Sequence, residues 1–147
     1  MRRKSFGLVA VLLVVGVCGG EPPKPKTAPK QPKVYTGKVA PPKDSKGKPD
    51  KRKLVLAADD GTSYPLVEDG ASRMLFLDSR LRGRPVRLTA LRVPDTRKLQ
   101  VVRVQTVKDG TVYDVDYWCE TCQISLDHPG PCFCCGEEVE LRERPVR

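Results

Sequence analysis

Aromatic residues and histidine are scarce in this chain. Its 147 residues include 1 Trp, 4 Tyr and 3 Phe, 5% in all, with 1 His and 2 Met. A single histidine excludes a His-rich metal centre. It also weakens a hydrolytic triad, because Ser125, Asp127 and His128 lie too close in sequence to be held apart on one rigid frame. Tyr64 and Phe76 are the only aromatics between Lys53 and Val107, too few for a platform on which successive bases of a single strand would stack. No apolar run approaches the roughly 20 residues that span a bilayer; the longest, Gly7 to Val17, has 11. The length excludes a large multidomain enzyme. Positive charge, proline and cysteine are what the chain has in quantity, and each is unevenly placed.

Arg2, Arg3 and Lys4 precede the apolar run, and small residues follow it, the layout of a bacterial secretory signal over residues 1–20. Val15-Gly16-Val17-Cys18 resembles the lipobox of bacterial lipoprotein precursors, which places Cys18 as the residue acylated after cleavage. It departs from that pattern at Val17, where Gly, Ala or Ser is usual. Cleavage after Gly19 or Gly20, discarding Cys18, is the other route. Both imply a bacterial envelope protein, periplasmic or membrane-anchored by lipid at Cys18, with secretion as the alternative.

The formal charge is +9, which invites a nucleic-acid reading until it is located. Residues 21–53 carry 11 basic and 3 acidic residues, residues 54–116 carry 10 and 9, and residues 117–147 carry 3 and 6. The globular part is therefore near neutral, and nucleic acid is not the expected partner. Arginines 73, 80, 82, 84, 87, 92 and 97 gathered on one face would be needed to revive a single-stranded nucleic-acid alternative. Residues 21–33 hold five prolines among lysines and read as a disordered polyproline-II linker with a reach of roughly 40 Å. Its lysines suit either attraction to an anionic envelope surface or plain solubility, the favoured reading.

From Val34 short β-rich runs alternate with turn residues, as in an all-β domain. The expected strands are Val34–Val39, Lys53–Ala57, Ser63–Val67, Pro85–Val93 and Leu99–Val107. Asp59-Asp60-Gly61-Thr62 supplies a tight turn between the second and third. Residues 71–81 space Met74, Leu75, Leu77 and Leu81 as a short helix, with Asp69-Gly70 as its start. The order strand, strand, strand, helix, strand, strand is similar to an OB-type five-stranded barrel over residues 34–110. An SH3-like barrel or an open meander is the rival architecture. The fold class expected is mainly β, with this barrel as an interaction module for a protein or envelope partner.

Five of the six cysteines fall between 119 and 135. Cys119 and Cys122, then Cys132 and Cys135 followed by Gly136, form two C-x2-C turns separated by nine residues. Such turns aim paired thiolates inward and backbone N–H groups at the sulfurs, and two of them complete a tetrahedral four-cysteine zinc site. Gly136 supplies the positive φ on which the chain leaves the second turn. The runs Thr111 to Trp118 and Glu138 to Arg142 would be the outer strands of a zinc ribbon over 111–147. Cys134 is left over, with exchange for Cys132 as the alternative. Disulfides are the competing reading in an exported protein, but either processing route leaves five thiols, which cannot all pair. Redox catalysis is the third reading.

Tyr117-Trp118-Cys119 and His128-Pro129-Gly130-Pro131-Cys132-Phe133-Cys134-Cys135-Gly136 resemble the small heavy-metal-binding ribbon of bacterial efflux components, over about 25 residues. Cys122 stands where that family has His, Thr121 where it has Met, and Glu137 where a second Met follows Gly. Loss of both thioethers removes the ligands expected for copper or silver, while gain of Cys122 favours a closed four-thiolate zinc site. The whole chain is also similar to bacterial exported, lipoprotein-like proteins that pair a barrel-like domain with a terminal ribbon. His128 reads as a solvated loop residue, with a ligand role as the alternative, and Tyr117 and Trp118 as the residues packing ribbon onto barrel. The resulting expectation is a non-enzymatic protein with one structural zinc. Soft-metal exchange is the alternative from another class.

Overall fold

A computed structural model describes residues 31–43, 47–50 and 52–147. The signal segment, Cys18 and most of the proline-rich linker lie outside these residues. Eight strands are present: β1 Lys33–Ala40, β2 Val55–Ala58, β3 Ser63–Pro65, β4 Pro85–Arg92, β5 Leu99–Lys108, β6 Thr111–Cys119, β7 Ile124–Leu126 and β8 Glu140–Pro145. All neighbouring strands pair antiparallel, in the order β3-β2-β1-β4-β5-β6-β7, with β8 joined to β6.

The first five strands follow the expected order, but the expected barrel does not close. Between β3 and β5 there is one isolated parallel bridge, Leu66 with Leu99, where the Val67 N–H donates to the Leu99 carbonyl at 2.9 Å. β3 is three residues long and ends on Pro65, which has no N–H to offer a ladder. The sheet therefore stays open and continues through β6.

Alternation explains the core. Val86, Leu88 and Ala90 of β4 are buried, as are Leu99, Val101 and Val104 of β5; a bulge in the β4–β5 register at Thr89/Ala90 shifts the buried parity between Val101 and Val104. Gly37 of β1 lies so close to β2 that a Cβ there would stand 2.1 Å from the Ala57 carbonyl oxygen. The β2–β3 turn forms as expected: Gly61 has φ +80, and the Asp60 carboxylate accepts from the Thr62 N–H at 2.8 Å.

The expected single helix over 71–81 is three pieces: a 3-10 turn at Gly70–Ser72, α1 at Arg73–Leu77 and a second 3-10 turn at Ser79–Leu81. Asp78 interrupts it. Its backbone is extended and its side chain accepts from the Arg80 N–H, restarting the chain as a new turn. Ser72, fully buried, anchors the first turn by accepting from the Asp69 N–H at 2.9 Å and donating to the Val67 carbonyl at 2.6 Å. Met74, Leu75 and Leu81 join the sheet residues in one apolar cluster, and Tyr117, Cys119, Leu126, Cys132 and Val139 belong to that same cluster. No helix among the described residues is long and apolar enough to cross a membrane.

Candidate metal centre

β6 carries the first thiol to its place. Its N-terminal half pairs with β5 and its C-terminal half with β7, while β8 runs along the other edge. Its residues alternate between two faces. Tyr117 and Cys119 turn inward and are fully buried; Asp114, Asp116 and Trp118 lie on the opposite face.

Each C-x2-C segment is the turn of a hairpin. Cys119 and Ile124 close the first, and a bridge between Pro131 and Glu138 closes the second. The two turns are built alike. Gln123 N–H donates to the Cys119 carbonyl at 2.8 Å, and Gly136 N–H to the Cys132 carbonyl at 2.8 Å. Gly136 has φ +79, as expected, and Gln123 takes φ +54 at the equivalent position. A glycine signal was therefore legible in one turn and absent from the other, where a non-glycine residue accepts the left-handed conformation.

These turns gather four thiols. The sulfurs of Cys119, Cys122, Cys132 and Cys135 all lie within 4.8 Å of one another, and Cys119 and Cys135 are 3.5 Å apart. A Zn–S bond of about 2.3 Å would place tetrahedral sulfurs about 3.8 Å apart, so the cluster has the dimensions of a metal site. All five described cysteines are free thiols. Cys119 and Cys132 are buried, Cys122 is half-buried and Cys135 exposed. Cys134 is exposed and outside the group of four.

Backbone N–H groups face the sulfurs, as in metal-binding turns. The Cys122 N–H points at the Cys119 sulfur from 3.4 Å and favours its thiolate, but burial and the Cys135 and Cys132 thiols outweigh it and hold Cys119 above the usual thiol range. The Cys135 and Cys134 N–H groups bring Cys132 down to about 7. Cys122 is pushed up by the Cys134 and Cys135 thiols and by burial. Acidic Cys132 beside the reluctant Cys119 and Cys122 is the arrangement a cation completes, since a coordinated thiol gives up its proton.

Compared with protein-family models, curated proteins and solved structures, the chain matches none. The geometry therefore carries the reading alone.

Around the centre, Tyr117 does pack the ribbon onto the rest of the fold. Its hydroxyl donates to Asp78 at 2.9 Å, joining the strand that carries Cys119 to the residue that breaks the helix. Burial, then the Asp78 carboxylate, push its phenol above the usual range, so it remains a donor. Trp118 does not share this role: it lies on the other face, with the Arg142 guanidinium 4.0 Å above its ring and its N–H donating to Glu120 at 2.8 Å. His128 stands outside the four-thiol group, its Nδ1 2.6 Å from Asp127.

Two ion networks escaped the sequence reading because their members are far apart in the chain. Asp116 accepts from Arg142 at 2.7 Å, Arg144 at 2.9 Å and Ser125 at 2.8 Å; Arg142 chiefly, against burial, holds its carboxyl below the usual range. Glu143 takes Arg84, Lys108 and Thr106 together. Burial pushes Glu143 up, but these partners outweigh it and leave it lowered. Arg80 is bound to Asp78, and Arg82 donates to the Leu75 and Phe76 carbonyls. Three of the seven arginines needed for a basic groove are thus engaged by partners within the fold.

Proposed function

We propose that this is a non-enzymatic, exported or lipid-anchored bacterial protein in which four cysteines hold one structural zinc ion and the sheet serves as an interaction module. The observation that carries the proposal is the convergence of two like turns on four mutually close sulfurs, two of them buried in the common core. Four thiolates fill a tetrahedral shell, so the ion has no open position at which to activate water. Methionine takes no part in the cluster, and an all-thiolate set without thioethers suits zinc. Sheet surface and ribbon would serve a protein or envelope partner.

Elemental analysis of the purified chain, with thiol titration, tests this. One zinc per chain, retained by Cys134→Ser and lost in Cys132→Ser, is expected. Substoichiometric metal, or equal loss in both variants, refutes the assignment. Labelling with a fatty acid tests the anchor: label on the wild type that disappears in Cys18→Ser is expected, and an unlabelled mature chain starting at Gly20 or Glu21 refutes lipidation.

One observation favours a second reading, exchange of a soft metal. Exposed Cys134 bears directly on Cys122, offering an incoming or departing ion a fifth thiol. Release to a moderate chelator separates the two: slow release with unfolding supports a structural ion, and fast release that Cys134→Ser slows supports exchange.

A further inference from the structure

Resting on the envelope location proposed above, we infer that a cationic cleft at the point where the chain enters the sheet docks on the phosphate headgroups of an anionic bilayer. At the start of β1, Lys33 lies opposite Ala90 of β4, and a cleft of about 350 Å³ opens between Gln31, Lys33, Tyr35, Ala90 and Arg92. Arg92 also lines the adjoining groove of the β4–β5 turn, together with Arg97, and Lys98 follows. None of Lys33, Arg92, Arg97 and Lys98 forms an ion pair among the described residues, unlike Arg80, Arg84, Arg103, Lys108, Arg142 and Arg144. Asp95 is the acidic residue within the β4–β5 turn.

The chemistry selects the occupant. Arginine forks and lysine ammoniums bind phosphate oxygens, and a half-buried tyrosine, here Tyr35 edge-on to Tyr64 at 5.2 Å, suits the headgroup level of a membrane. The chain's own preceding segment is excluded as occupant, because Lys24, Lys26 and Lys30 give it the same charge. That segment also joins the cleft to Cys18, so a lipid on Cys18 brings this end of the sheet, rather than the acidic ribbon, toward the bilayer.

Flotation of the full chain with vesicles of phosphatidylcholine alone and with added phosphatidylglycerol tests the inference. Any binding by residues 7–17 of the unprocessed chain is common to both vesicles, so the gain on adding phosphatidylglycerol is what is read. Each basic residue near an anionic surface changes affinity about fivefold. The quadruple variant Lys33→Gln, Arg92→Gln, Arg97→Gln, Lys98→Gln should lose the gain by about 100-fold or more. A control removing Lys38, Lys43, Arg73 and Arg147 in the same way should keep most of it, both variants retaining the wild-type far-UV circular dichroism. Equal loss in the two variants, an undiminished gain in the first, or self-association in place of vesicle binding overturns the inference. Cell fractionation reads location separately: a chain that shows the lipid selectivity but stays in the cytoplasm removes the envelope reading and leaves the surface, and an envelope chain without the selectivity removes the surface alone.

Discussion

Tyr117→Phe isolates one hydrogen bond that ties β6, the strand carrying Cys119, to the helical segment. The ring remains in its fully buried place and only the hydroxyl is removed. Asp78, 6% exposed, keeps the Arg80 guanidinium and the Arg80 N–H at 2.8 Å but loses the donor at 2.9 Å. A hydrogen bond to a charged group contributes about 2 kcal/mol, and a domain of this size loses about 4 °C of Tm per kcal/mol. Tyr117→Phe should therefore lower Tm by about 8 °C without changing metal content. Asp78→Asn keeps the shape and removes the charge, and the double variant completes a cycle. Urea denaturation of the four proteins, with metal saturating, should give a coupling of about 1.5 kcal/mol. A Tyr117→Phe effect below about 0.5 kcal/mol, the scatter of surface substitutions, or a coupling near zero would refute the idea that this bond secures ribbon to sheet.

Four further outcomes follow from the geometry. Gly37→Ala places a Cβ against backbone atoms of β2 that have no rotamer by which to yield, and should cost about 3 kcal/mol in denaturant unfolding. Asp116 has its folded carboxyl pKa lowered, so its stabilisation is full above the ordinary carboxylate value and is lost as pH falls through the folded one. The stability gap between wild type and Asp116→Asn should accordingly be widest near pH 6 and shrink toward pH 3. Trp118 is the only tryptophan, so Arg142→Ala should red-shift the emission of the whole chain and destabilise it by about 1 kcal/mol, with Arg142→Lys intermediate. Chelation should lower Tm in the wild type and leave Cys119→Ser, already without metal, unchanged.

The elements of this fold were legible where one face is buried and the other wet. Alternation in 87–93 and 101–107 located β4 and β5 within a residue or two of their ends, and the Asp-Asp-Gly-Thr turn located the β2–β3 hairpin. What alternation does not carry is closure. Whether β3 meets β5 depends on three residues, one of them a proline, and the outcome is an open sheet. Helical spacing of Met74, Leu75, Leu77 and Leu81 was real, but Asp78 competes locally for the Arg80 N–H and divides the segment. β7 is three residues long and has no pattern of its own; it exists because the first cysteine turn folds the chain back onto β6. The four thiols were legible because the spacing of a metal-binding turn is itself the constraint. The partners of Tyr117, Asp116 and Glu143 were not, because each comes from another part of the chain.

β8 is the last strand in chain order, and it supplies partners to much of what precedes it. Arg142 and Arg144 neutralise Asp116, and Glu143 gathers Arg84, Lys108 and Thr106. During synthesis those upstream groups are made first and wait for their counterions. The sheet is thus set to finish folding late, once β8 has emerged from the ribosome. A timing of this kind keeps the earlier strands exchangeable until β8 is in place, so a chain cut short before Arg142 would leave Asp116 without its counterions.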